Sequence, residues 1–270
     1  MLIYGRLKKT ICIVITLCLI LCRAAAGATE NADVKSLNDA MERIGSADSL
    51  TIQMHLTLTQ NEIDKLSGDV ICQVDKEKEY LHATLTDDAG RSRDVEIASM
   101  DGERILRDGD DYYTMPEDWE QRTENSFIIP ETISVDQLRK NLKKLIGSAI
   151  DKLAITDAGL SLHLTKNDIP FSLGLAVGFA DGYEVKGDGS DEFQLSLGYG
   201  LYIDHIDLDI PLVNGDVGEI QMEIALGGRS RDGESLDTSI TMDCSFSDIG
   251  STTPATIDTT GIELKPLEQK

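Results

Sequence analysis

The sequence predicts an α+β fold: a curved antiparallel sheet of about eleven strands with helices against its concave face. Three observations carry this expectation. From residue 50 onward, most apolar side chains recur with a period of two, as in Ile52, Met54, Leu56 and Leu58. The segments are joined by turns such as Asp101-Gly102 and Asn214-Gly215, too short for parallel crossovers. Two stretches break the pattern with apolar residues at helical spacing, and a sheet this long curls rather than staying flat.

In chain order, Val34, Leu37, Met41 and Ile44 mark a helix, with Asp33 as its expected N-cap and Gly45 as its end. Strands are expected near 50–59, 68–75, 79–86, 93–100, 103–107 and 111–115. A loop over 116–133 holds the single tryptophan, Trp119, between Pro116 and Pro130. The capping box Ser134-Val135-Asp136-Gln137 starts a second helix, whose apolar stripe runs Val135, Leu138, Leu142, Leu145, Ile146, Ala149 and Leu153. Leu160, Leu162 and Leu164 bring back the strand period. Residues 168–182 read equally as a helix opened by Pro170, a strand or an apolar flap, and 186–191 as a loop. Strands near 192–199, 201–210, 217–226 and 235–247 follow. The order is helix and meander, twice.

Residues 1–28 have the layout of a secretory signal: Arg6, Lys8 and Lys9, an apolar run from Ile11 to Cys22, then small residues including Ala26 and Ala28. The run is shorter than a spanning helix and ends at Arg23. Cleavage near Ala28 and an uncleaved membrane anchor are the two readings. Leu21 before Cys22 and Leu17 before Cys18 do not fit a lipid-attachment site. The expected product is an extracytoplasmic, monomeric protein of the cell envelope, with residues 29–270 as one domain. Loss of the four basic residues of the signal leaves 21 basic against 48 acidic residues, a formal net charge of −27. Such a surface repels nucleic acid and anionic membranes. The acids serve as solvation of the surface and turns.

Cys72 and Cys244 remain after cleavage, each on the apolar face of an expected strand. In an exported protein they can form a disulfide, or pack as two buried thiols. No nucleophile elbow, phosphate loop, dinucleotide fingerprint or H-E-x-x-H is present, so no catalytic residue, cofactor or resident metal is expected. His55, His82 and His163 fall on polar strand faces, and His205 has no metal-ligand spacing to another histidine. A zinc site built from distant strands is left open. The acidic sets Asp108/Asp110/Asp111 and Asp188/Asp191/Glu192 do not follow a calcium-loop pattern. By strand parity Asp204 falls on the opposite face from Asp207 and Asp209.

The segments VKSLNDAMERIGSADSL, TIQMHLTLTQ, GDVICQVD, YLHATLT and DVEIASMDGERILRDGDDYYTM, in that order behind an export signal, resemble the lipoprotein-carrier superfamily. That group holds the LolA/LolB-like carriers and the mycobacterial LppX/LprG-like lipid-binding proteins. The closing stretch MDCSFSDIGSTTPATIDTTG is similar to the ends of exported proteins of Gram-positive bacteria with this layout. The resemblance implies an incomplete antiparallel barrel with helices in its opening around a hydrophobic cavity. Leu138, Leu142, Leu145, Ile146 and Ala149 would then line it. Lipid-anchored relatives carry an attachment cysteine that this chain lacks, and no family site residue has a counterpart here.

Two functions follow as expectations. One is a non-catalytic binding protein holding a lipid, an acyl chain or another apolar ligand. The other is a structural or sensory extracellular domain with a filled core that acts through an envelope protein partner. The energies are alike: six or seven buried aliphatic side chains contribute about 12 kcal/mol, and an acyl chain of about 16 carbons a similar amount at about 0.8 kcal/mol per CH₂. A hydrolase would need a clustered acid–base or nucleophile set, which the sequence does not display.

Overall fold

A computed structural model describes residues 32–100, 102–115, 152–156, 158–169, 184–186, 194–196, 199–230 and 232–267. The signal segment, the loop at 116–133, the stripe Val135, Leu138, Leu142, Leu145, Ile146 and Ala149, and most of 168–182 lie outside the described residues. Among the described residues no helix is long and apolar enough to cross a membrane.

One helix, α1 (Ala32–Gly45), opens the described chain. Six strands form a meander: β1 (Leu50–Gln60), β2 (Ile63–Val74), β3 (Glu79–Asp87), β4 (Ser92–Met100), β5 (Glu103–Asp108) and β6 (Asp111–Met115). A second run holds β7 (Leu153–Thr156), β8 (Gly159–Thr165), β11 (Tyr199–Val213), β12 (Asp216–Val217), β13 (Ile220–Arg229) and β14 (Ser235–Ser247). A separate hairpin, β9 (Glu184–Lys186) with β10 (Gln194–Ser196), sits between β8 and β11 in the chain. The expected strand at 192–199 is thus divided between that hairpin and the start of β11.

With a last short strand, β15 (Lys265–Pro266), the main sheet runs β15-β6-β5-β4-β3-β2-β1-β14-β13-β11-β8-β7, with β12 paired to β11. It is curved and unclosed, with β7 and β15 at its two edges. All its pairings are antiparallel except β15 (Lys265–Pro266), which runs parallel to β6. The first long strand and the last one meet at the centre, β1 against β14. The predicted fold class therefore holds, with a single helix on one face among the described residues.

Turn chemistry sets the register. Asn214 and Gly215 have φ +54° and +86°, the backbone a two-residue primed turn demands. Asn61 and Glu62 make a similar turn between β1 and β2, at φ +50° and +64°. Of the expected α1 stripe, Leu37, Met41 and Ile44 are buried, with Ala40 beside them, while the side chain of Val34 lies outside the described ones. Asp33 lies inside the helix rather than capping it. Arg43 in the last turn donates to the Gly215 carbonyl at 2.6 Å and pairs with Asp216 at 2.8 Å, which ties α1 to the β11–β12 hairpin. Leu153, placed by its spacing in the second helix stripe, starts β7 instead.

The helix-bearing face holds the main core. One row across it reads Leu160, Ile210, Ile220, Cys244, Met54, Val70 and Ala83 from β8 to β3, all buried. The other face carries a row that is half apolar, Thr51, Gln73, Tyr80, Ala98 and Ile105. The chain after β14 crosses that row as a strap. Gly250 N donates to Ser49 O at 2.7 Å, and the Thr252 and Thr51 hydroxyls meet at 3.0 Å. Ala255 N donates to Gln73 Oε1 at 2.9 Å. Ile257 is then buried on Ala98 and Ile105, with Tyr80, Tyr112 and Leu264 around it. The strap ends as β15 along the β6 edge.

Cys72 and Cys244 are not bridged to each other. Cys72 stands opposite Ile52, and Cys244 opposite Met54, on the two sides of β1. Two strand spacings, about 10 Å, exceed the roughly 7 Å limit on the Cα separation of a disulfide. The register therefore keeps these two cysteines from bridging to each other. Burial, helped by Glu219, pushes the Cys244 thiol up to about 12, so it carries no reactive thiolate.

Candidate functional site

The two faces of the sheet offer different chemistry. On the helix-bearing face, four residues along from the buried row, Ile206, Ile224, Ile240, Leu58 and Leu66 form a continuous aliphatic strip from β11 to β2. Each of the five is half-buried. One flank holds buried Leu208 and Met242 with half-buried Met222 and Leu56, the other buried Ile203, Leu226 and Thr238 with half-buried Gln60. Four strand spacings give the strip a length of about 19 Å. A groove of about 440 Å³ at the β4–β5 turn is lined instead by Glu77, Lys78, Glu103 and Arg104 with Ser99 and Gly102. Its charged lining does not suit an apolar ligand.

The opposite face carries all four histidines, each beside a carboxylate. His55 Nδ1 lies 2.8 Å from Asp69 Oδ1. His82 Nε2 lies 2.5 Å from Asp94 Oδ1, to which Thr84 also donates at 3.1 Å. Arg107 joins this group through Glu96 and lies 3.8 Å from Asp94, while the Tyr80 hydroxyl donates to Glu96 at 2.9 Å. His163 Nδ1 contacts Asp207. His205 lies 3.3 Å from Asp204 through Nδ1 and 3.6 Å from Asp207 through Nε2.

This last grouping corrects the parity argument. The β11–β13 register shifts between Ile203 and His205. One extra residue in a strand reverses the alternation beyond it. Leu201 and Ile203 point into the core before the shift, Leu208 and Ile210 after it. Asp204, at the bulge, comes onto the same face as Asp207. The acids of the Asp108 turn are ordinary ion pairs: Asp108 with Arg93, and Asp111 with Lys265 at 2.7 Å. Asp188, Asp191 and Glu192 lie outside the described residues.

The His82 side chain, foremost among its neighbours, holds the Asp94 carboxyl below its ordinary value, with Thr84 and Arg107 adding to it against the cost of burial. A depressed carboxylate contributes stability above its unfolded value, about 3.9, and loses it as pH falls through the lower folded value. Asp94→Asn is therefore expected to remove part of the acid-side slope of stability. Urea midpoints between pH 5 and pH 2 would show it; a slope identical to the parent chain contradicts it.

No protein-family model matches the chain, and no curated protein matches it. Among solved structures, a LolA superfamily protein from Nitrosomonas europaea aligns with 84% of this chain and 96% of its own, at 9% identity and a TM-score of 0.19. So loose a superposition does not establish a shared fold, and the functional reading rests on the residues themselves.

Proposed function

We propose that this is an exported, non-catalytic binding protein of the cell envelope that holds an apolar ligand, a lipid or acyl chain, against the helix-bearing face of the sheet. One observation carries the reading: the continuous half-buried strip Ile206–Ile224–Ile240–Leu58–Leu66 on the helix-bearing face. The strip is wholly aliphatic and as long as an extended fatty-acyl chain. Each CH₂ removed from water there contributes about 0.8 kcal/mol. The apolar run at 11–22 and the small residues after it support export. The strongly acidic surface supports a soluble monomer that does not cling to anionic lipid.

The test is titration of the purified chain with a fluorescent fatty acid, with native mass spectrometry of the protein as purified. Ile224→Asp and Ile240→Asp are each expected to weaken the probe at least about tenfold, or about 1.4 kcal/mol. His55→Ala, on the opposite face, leaves binding unchanged. Parent-like urea midpoints would confirm that the variants are folded. A protein that is empty as purified and ignores the probe overturns the reading and favours a filled-core domain acting through protein contacts.

A further inference from the structure

The β8–β11–β13 part of the histidine-bearing face holds a second arrangement, independent of the apolar strip. We propose that His205, Asp207 and Glu223 bind a divalent first-row transition ion, with Zn²⁺ as the representative of the class. Their ligand atoms, one from each residue, all lie within 4.8 Å of one another. Asp207 and Glu223 stand directly opposite in the β11–β13 ladder. His205 precedes Asp207 by two residues and shares its face. An imidazole with two carboxylates and no thiolate suits zinc and its first-row neighbours.

The groups around these three are placed as supports of a metal site. A carboxylate only accepts hydrogen bonds. The 3.3 Å contact of Asp204 with His205 Nδ1 therefore places the ring proton on Nδ1. Nε2 lies 3.6 Å from Asp207 and is the ring nitrogen left to ligate an ion. A carboxylate behind a ligating imidazole fixes both its tautomer and its orientation. The β-bulge is what brings Asp204 there. Ser239 Oγ donates to Glu223 Oε1 at 2.8 Å, holding the third ligand. His163 contacts Asp207 from β8, with its ring centroid 6.1 Å from that of His205. It is positioned to orient Asp207, or to turn inward as a fourth ligand.

Charge separates this cluster from its counterpart on the same face. His82, Asp94 and Glu96 also gather within 4.8 Å, but Arg107 reaches both acids and supplies the positive charge a metal would bring. Around His205 the carboxylates of Asp204, Asp207 and Glu223 meet no lysine or arginine among the described residues. Three carboxylates gathered beside two imidazoles favour a bound dication. The geometry therefore predicts metal at His205 and none at His82.

Isothermal titration of the full chain with zinc chloride tests this, against His205→Ala, Glu223→Gln, Asp204→Ala and His82→Ala. The parent chain is expected to bind one equivalent that His205→Ala and Glu223→Gln abolish. Asp204→Ala, which removes a supporting carboxylate, weakens it about 10–100-fold. His82→Ala binds like the parent. Circular dichroism melts of each variant without metal report its folding, and Co²⁺ in place of Zn²⁺ gives a d–d spectrum that reports ligand number. Absence of zinc binding overturns the proposal. So does binding that survives His205→Ala, or that is lost in a folded His82→Ala.

Discussion

A chain ending at Ser247 is expected to lose its cooperative urea transition or to unfold at much lower denaturant. That truncation removes the strap and uncovers the row Thr51, Gln73, Tyr80, Ala98 and Ile105. Ile257 alone, 3% exposed on Ala98 and Ile105, sets the scale: its replacement by alanine costs about 2–5 kcal/mol. The truncation also strands the buried Thr51 hydroxyl, whose partner is Thr252, and strips β15 from the β6 edge. An open strand edge recruits other chains, so the truncated protein should also aggregate. Ile257→Ala in the full chain separates the packing contribution from the edge contribution. Lys265→Ala is the control. Its pairing with Asp111 is largely exposed on both sides, and solvent screens such a pair, so a parent-like midpoint is expected. A parent-like urea midpoint for the truncated chain would show that the strap is an ornament on an independently stable sheet.

The second large effect is expected at Gly159, where β8 begins. Its φ is +132°, and a Cβ there would stand 2.3 Å from Ile210 O, 2.8 Å from Pro211 Cα and 2.9 Å from Leu212 N. All three are backbone atoms of the neighbouring strand, so no side chain can swing aside. Leu212 N donates to Ala158 O at 2.9 Å, which holds the two segments together at that point. Gly159→Ala is expected to destabilise the protein by about 3 kcal/mol or more, since backbone strain and a clash inside the ladder add. Gly90→Ala gives the contrast. It also has positive φ, +74°, but open space around it, and should cost only about 1–2 kcal/mol. Equal urea midpoints for the two variants would contradict this assignment of the larger effect to close approach.

The parts of the fold that were legible in the sequence are those where alternation and turn residues agree. Ile52, Met54 and Leu56 announce β1, and Asn214-Gly215 announces its turn. Elsewhere a local signal was missing or pointed the other way. The β1–β2 turn is hidden because Glu62 is not a residue that usually adopts positive φ. Ile63–Ser67, the first part of β2, is too polar to read as a strand. Leu153 continues a helical spacing from Ala149, and four residues of β7 are too few to oppose it. Before β15 the strap has no period, because it lies across strands rather than pairing with them. For the histidine face, the polar phase of His55, His82 and His163 was visible. The cluster at His205 was not, since one bulged residue reverses the parity by which Asp204 would be placed. Which carboxylate meets which histidine is a matter of register between strands, and no single strand carries that information.

The pairing of β1 with β14 at the centre of the sheet has a consequence for how the chain comes to its final form. Gln60 and Thr238, neighbours in that ladder, are 178 residues apart. Every other long strand pairs with one near it in sequence, so each half can assemble early from short-range steps. Until the last long strand has left the ribosome, β1 is an edge whose partner does not yet exist. Closure then becomes a contest between a chain's own β14 and the β14 of another copy. The first is independent of concentration and the second rises with it. Strand-exchanged dimers, in which each copy completes the other's sheet, are the expected by-product of refolding this protein at high concentration.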